Sequence, residues 1–262
     1  MRVDTLKTDG FSMDYCQFGE GKEALVILPG ISIQRVMGSA KSIENSYRLL
    51  ADHFSVCVFE RRNELPQVYT AKDIARDTAT AIKALGLGAV NVFGASQGGM
   101  IAMSLAIDFP EMVHKLILGS TSAQETQGQR QVFEEWIQLA EEGDAEELYL
   151  AFGEAVYPKT VFEQARNMLI ELSKAVTAED INRFIILAKG MLGNDVSKEL
   201  NRISCPVLVI GDKEDRVMGE DSSVRIAEGI KNSELFMYDH YGHAAYDLAP
   251  DYKERMLRFL TT

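Results

Sequence analysis

The pentapeptide Gly94-Ala95-Ser96-Gln97-Gly98 follows the apolar run Ala89-Val90-Asn91-Val92-Phe93 and opens the segment Gly99-Met100-Ile101-Ala102-Met103-Ser104-Leu105-Ala106. A serine in a G-x-S-x-G turn between a strand and a helix takes a strained backbone. That turn lifts its hydroxyl above the sheet edge, at the positive end of the helix that follows. Gly94, Gly98 and Gly99 suit a turn that leaves no room for side chains around the serine. The chemistry open to such a hydroxyl is nucleophilic attack, which makes Ser96 the candidate nucleophile. The competing reading is a chance G-x-S-x-G in a glycine-bearing loop; the strand before it and the helix after it weigh against that.

A serine hydroxyl attacks at neutral pH only when a base removes its proton, and the base needs a third group to orient it. Two later segments offer these parts. Gly211-Asp212-Lys213-Glu214-Asp215-Arg216-Val217 follows the run Val207–Ile210, and Asp239-His240-Tyr241-Gly242-His243-Ala244-Ala245-Tyr246 follows Leu235–Tyr238. Each is a polar loop at the carboxyl end of a strand-like run, the first rich in carboxylates and the second holding two histidines.

The elements that must position these residues alternate. Strand-like runs at Ala24–Leu28, Ser55–Phe59, Ala89–Phe93, Lys115–Gly119, Pro206–Ile210 and Glu234–Tyr238 are separated by helical patterns near 40–52, 71–85, 97–108, 220–230 and 250–260. Continuous apolar strands between helices predict a parallel sheet covered on both faces. Ser12–Phe18 is expected to form an antiparallel edge with the residues after Met1. Gly19-Glu20-Gly21 reads as a hairpin turn, since no helix follows it as a dinucleotide site requires. From about Gln124 to Leu200 no strand signal occurs, and the segment reads as helices rich in Glu, Leu and Ala inserted after the sixth strand. The expected division is a core of 1–123 and 201–262 with a helical lid at 124–200. Aromatic residues of the insertion, among them Trp136, Phe152 and Phe184, either pack its helices together or line an apolar acyl pocket.

The chain of 262 residues, 46% hydrophobic, is long enough for one α/β domain with an insertion. Its net charge of −12, without a Lys/Arg-rich run, argues against nucleic acid or an anionic membrane surface as partner. No apolar leader-like region opens the chain and no stretch approaches the roughly 20 apolar residues of a membrane span, so a cytoplasmic protein is expected. Cys16, Cys57 and Cys205 are odd in number and widely spaced, and are expected as buried free thiols. His53 and His114 lack a second ligand at helical spacing, so neither metal nor cofactor is expected.

The elbow, the acid loop after the seventh strand and Gly242-His243 before a last helix together make the chain resemble the α/β-hydrolase fold superfamily over nearly its full length. The resemblance implies a three-layer α/β fold, with an eight-stranded, mostly parallel sheet, and hydrolysis through a covalent acyl-enzyme. It implies the order nucleophile, acid, base as Ser96, Asp215, His243, because the family's acid lies a few residues past the glycine ending strand seven and its histidine usually follows a glycine. Asp212 is then expected to bond local backbone amides, and His240 to be a solvated loop residue. The backbone N–H of Gln97 and, by resemblance, that of Ile31 in Leu28-Pro29-Gly30-Ile31-Ser32 would form the oxyanion hole. Pro29 stands where relatives carry histidine. Ser32 either adds a hydroxyl to the hole or caps the turn.

Glu60-Arg61-Arg62-Asn63 departs from the family pattern after the fourth strand. Its arginines either ion-pair with Glu60, Glu64 or Asp73, or lie near the pocket and select an anionic substrate. The expected activity is serine hydrolysis of a small ester, thioester, lactone or amide, with a small acyl compound as the substrate and either a monomer or a homodimer open. Carbon–carbon bond hydrolysis, aminopeptidase action and cofactor-free peroxidation use the same triad. A ligand receptor that has lost turnover is the non-enzymatic alternative.

Overall fold

A computed structural model describes residues Met1–Thr262. Its strands are β1 (Arg2–Lys7), β2 (Ser12–Phe18), β3 (Glu23–Leu28), β4 (Phe54–Arg62), β5 (Val90–Ala95), β6 (Val113–Gly119), β7 (Val207–Asp212) and β8 (Ser233–Tyr238). They form one sheet in the order β1-β2-β4-β3-β5-β6-β7-β8. β1 pairs antiparallel with β2 and β2 antiparallel with β4, while every other pair is parallel. The period-2 alternation of side chains divides the strand residues between two buried layers. Leu25, Ile27, Val56, Val58, Phe93, Ile117, Leu208 and Ile210 face one side, and Val26, Leu28, Cys57, Val92, Leu116, Leu118, Val207 and Val209 the other. Both faces are covered, which is why these strands read as unbroken apolar runs.

The helices are α1 (Ala40–Ser46), α2 (Arg48–Ala51), α3 (Ala71–Ala84), α4 (Gln97–Asp108), α5 (Gln127–Glu142), α6 (Ala145–Val156), α7 (Lys159–Ser173), α8 (Ala178–Lys189), α9 (Ser222–Gly229), α10 (Ala245–Leu248) and α11 (Tyr252–Thr261). Three of them begin with reciprocal capping boxes: Thr70 with Asp73, Thr126 with Gln129, and Thr177 with Asp180. The helix expected over 40–52 is broken into α1 and α2 at Tyr47, whose buried ring packs 6.1 Å from that of Phe93.

α5 to α8 lie in the chain between β6 and β7. The two ends of this segment are bonded to each other, Glu125 N to Asn194 O at 2.9 Å and Val196 N to Ala123 O at 2.8 Å. The chain thus leaves the sheet and returns to it at one place. Trp136 of α5 packs at a tilt 4.6 Å from Phe152 of α6, which meets Phe184 of α8 edge-on at 6.4 Å, so these rings join the inserted helices to one another. No helix is long and apolar enough to cross a membrane. All three cysteines are free and buried, and burial pushes the Cys16 and Cys205 thiols up to about 11.

One turn expected from sequence is corrected. Gly19-Glu20-Gly21 is not a hairpin, because β2 and β3 are not neighbours; β4 lies between them. The segment crosses the start of β4 so closely that a Cβ on Gly21 would stand 2.0 Å from His53 O, and one on Gly19 2.2 Å from Phe54 O. The glycines serve close backbone approach.

The same logic governs the turn around Ser96. A Cβ on Gly98 would stand 1.8 Å from Leu28 O and 2.6 Å from Pro29 O, both backbone atoms that cannot rotate away. Gly98→Ala is therefore expected to destabilise the fold by about 3 kcal/mol, read as a lower urea midpoint with unchanged slope.

Candidate active site

Ser96 sits between β5 and α4 with φ 54° and ψ −123°, a left-handed region that a side-chain-bearing residue occupies only when its surroundings hold it there. Its N–H donates to Gly119 O at 2.9 Å, and its carbonyl accepts from the Thr121 hydroxyl at 2.7 Å and Gly99 N at 2.9 Å. The residue is 5% exposed. Its hydroxyl makes no hydrogen bond within the chain.

Asp215 and His243 lie on the loops after β7 and β8, at the same carboxyl edge of the sheet as Ser96. His243 Nδ1 stands 3.0 and 3.1 Å from the two Asp215 carboxylate oxygens, with the residues 2% and 6% exposed. The Val217 and Met218 amides each donate to Asp215 Oδ1 at 2.9 Å, which fixes the carboxylate. A carboxylate only accepts, so Nδ1 carries the proton and Nε2 is left as the basic ring atom. The structure brings Asp215 and His243 together and joins neither to Ser96 by a hydrogen bond; such contacts are commonly long before substrate binds.

The neighbouring candidates are placed elsewhere. Asp212 accepts from Glu214 N at 2.8 Å through one oxygen and from Tyr241 N at 2.9 Å through the other. It bonds a local amide and also ties the acid loop to the histidine loop. His240 is exposed, with φ 76° and Nδ1 2.6 Å from Glu214 Oε1.

Beside Ser96, the loop after β3 comes so close that the Cβ position of Gly30 is 3.1 Å from Ser96 Cβ. The backbone N–H groups of Ile31 and Gln97, both in buried residues, donate to no acceptor within the chain. Unpaired amides in buried residues are uncommon. Ser32 Oγ donates to Gln34 O at 2.6 Å, which caps the turn. A cavity of about 160 Å³ lies against Gly30 and Ala95, lined also by Pro29, Tyr47, Phe93 and Tyr246. No three His, Cys, Asp or Glu side chains gather where one metal ion could be held.

The arginines of β4 are corrected as well, since neither forms an ion pair with Glu60, Glu64 or Asp73. Arg62 lies 3.6 Å from Asp77 and donates to Gly10 O at 2.7 Å. Arg61 turns inward to Pro29 O and the Gln97 side chain, and burial draws its guanidinium down to about 10, still charged at neutral pH. Glu60 instead pairs with Arg183 of α8 at 2.9 Å. Sequence reasoning passed over Arg183 and Thr121; nothing local to either residue marks it, because each acts on a segment distant in the chain.

Hydrogen bonding to Glu214, reinforced by its charge, raises His240 above the ordinary 6.5. A raised folded pKa means that this contact favours the fold below the unfolded value and fades as pH rises through the folded one. An NMR titration should place the His240 midpoint above 6.5, and Glu214→Gln should bring it back down.

A family described as alpha/beta hydrolase fold matches residues 23–250. The chain is 26% identical over 220 residues to the Agrobacterium fabrum protein named "Putative carbamate hydrolase RutD", covering 80% of this chain and 84% of that one. It is 24% identical over 270 residues to the 2-hydroxy-6-oxononadienedioate/2-hydroxy-6-oxononatrienedioate hydrolase of Klebsiella pneumoniae, covering 92% and 88%. Among solved structures, the enol-lactonase from Burkholderia xenovorans LB400 superposes with a TM-score of 0.85 at 18% identity, covering 99% of this chain and 100% of that one. With residues 23–250 of its 262 matched, the chain belongs to the alpha/beta hydrolase fold family.

Proposed function

We propose that this protein is a serine hydrolase that cleaves a small ester, or a related acyl compound such as a lactone, thioester or carbamate, through Ser96, His243 and Asp215. The observation that carries the reading is the buried Asp215–His243 pair at the same sheet edge as a strained elbow serine. The unpaired Gln97 and Ile31 amides supply what the chemistry needs next.

In the proposed reaction His243 Nε2 takes the Ser96 proton as Oγ attacks the carbonyl carbon, and the carbonyl electron pair moves to oxygen. The Gln97 and Ile31 amides hold that oxyanion. Asp215 keeps the imidazole in the tautomer with Nε2 free and stabilises the imidazolium. Collapse of the adduct expels the leaving group, which His243 protonates; water activated by His243 then hydrolyses the acyl-enzyme. α5 to α8 act as the lid that sets acyl specificity. The relatives are named for a carbamate and for a 6-oxo dienedioate, compounds that each contain a carbonyl, and this site offers the parts for attack on one.

The test is hydrolysis of p-nitrophenyl esters of increasing acyl length, followed by an aryl carbamate and an enol-lactone. Wild type should turn over at least one of them, with the chain-length optimum reporting pocket depth. Ser96→Ala should reduce kcat by about 10⁴-fold or more, and Asp215→Asn by about 10⁴-fold. Turnover that survives Ser96→Ala overturns the mechanism. Binding of an acyl ligand without turnover favours the receptor reading.

A further inference from the structure

We propose that Arg61 is a positioning residue of the oxyanion hole, tying its two amide-bearing segments to one another and, through Gln97, to helix α8. This rests on the serine-hydrolase reading above. The Arg61 guanidinium, in a residue 2% exposed at the end of β4, donates from Nη2 to Pro29 O at 2.7 Å and to Gln97 Oε1 at 3.0 Å, and from Nε to the same oxygen at 3.3 Å. Pro29 lies two residues before the Ile31 amide, and Gln97 carries the other amide itself. One planar, rigid fork thus sets the spacing of both donors.

Gln97 passes the constraint onward, because its Nε2 donates to Leu187 O of α8 at 3.0 Å. The same helix is seated on β4 by Arg183, which pairs with Glu60 at 2.9 Å and donates to Arg62 O at 3.1 Å. A continuous line of hydrogen bonds therefore runs from α8 through Gln97 and Arg61 to the loop that carries Ile31.

A purely structural arginine would be expected to face a carboxylate, and Arg61 does not. The adjacent Glu60 commits its oxygens to Arg183 Nη2, to the Arg61 backbone amide at 2.9 Å and to Val36 N at 2.6 Å. Glu60, Arg61 and Arg183 together leave one surplus positive charge, buried and near the positive end of α4. Burying an unpaired charge is costly, and a helix N-terminus adds to that cost. The placement makes sense where negative charge develops close by, as it does on the oxygen of a tetrahedral adduct.

The test compares wild type, Arg61→Met and Arg61→Lys on the best ester and with a trifluoromethyl ketone of the same acyl chain. That inhibitor forms an Oγ–C bond with Ser96, its carbonyl pair becomes an oxyanion, and the serine proton passes to His243. It therefore reports the hole directly. Arg61→Met should lower kcat by about 10²-fold and weaken the ketone by the factor lost in kcat/KM, with KM within about threefold. Arg61→Lys, whose ammonium cannot span both acceptors in a fixed plane, should fall between; it decides the matter by the same split if Arg61→Met does not fold. Unchanged kcat, or a loss carried by KM with ketone affinity intact, overturns the proposal while leaving Ser96-dependent turnover in wild type. A wild type without Ser96-dependent turnover overturns the hydrolase reading and this inference with it.

Discussion

The candidate site depends first on the backbone of Ser96. A residue with a side chain at φ 54° carries strain of about 1–3 kcal/mol, and it persists because the surroundings leave no alternative. The Ser96 amide is bonded to the end of β6, and its carbonyl is held by Thr121 and by the first turn of α4. On the far side Gly98 packs its Cα against the carbonyl of Leu28. Strand β6, helix α4 and the loop after β3 are thus assembled around one peptide unit. The unpaired Gln97 amide follows from this geometry, since the first N–H groups of a helix have no partner within it.

A second constraint is charge buried at the end of β4. Both oxygens of Glu60 are occupied by donors from three places: the segment before α1, the strand itself and helix α8. Removing any one donor would leave a buried carboxylate partly uncompensated, which is more costly than never burying it. The pairing therefore says less about net stability than about specificity: only one seating of α8 on the sheet satisfies Glu60. Asp212 does similar work at the other side of the site, bonding one amide in its own loop and another in the histidine loop.

Much of this was legible in the sequence. The strands fall within a few residues of the apolar runs, because a strand buried on both faces must be apolar at consecutive positions. Gly94, Gly98 and Gly99 around Ser96 announced a turn with no space for Cβ atoms. Other features were not legible. Gly19-Glu20-Gly21 read as a hairpin turn, and only the insertion of β4 between β2 and β3 shows that these glycines clear a crossing strand. Arg61 and Arg62 have near carboxylates in sequence, yet strand pleating sends them apart, one inward to Gln97 and the other outward to Gly10 and Asp77.

The sequence by itself determined the local conformations: which apolar runs are strands, that helices fill 71–85 and 97–108, and that Ser96 stands on a tight turn. These follow from side-chain periodicity, capping and the space around a Cβ, all of which act within a few residues. Tertiary structure alone decided that Glu60 meets Arg183 of α8, that Asp212 also reaches Tyr241 N in the histidine loop, and that Arg61 spans Pro29 and Gln97. Those contacts join residues tens of positions apart, and their distances are set by strand order and helix seating, which the whole packed sheet resolves at once.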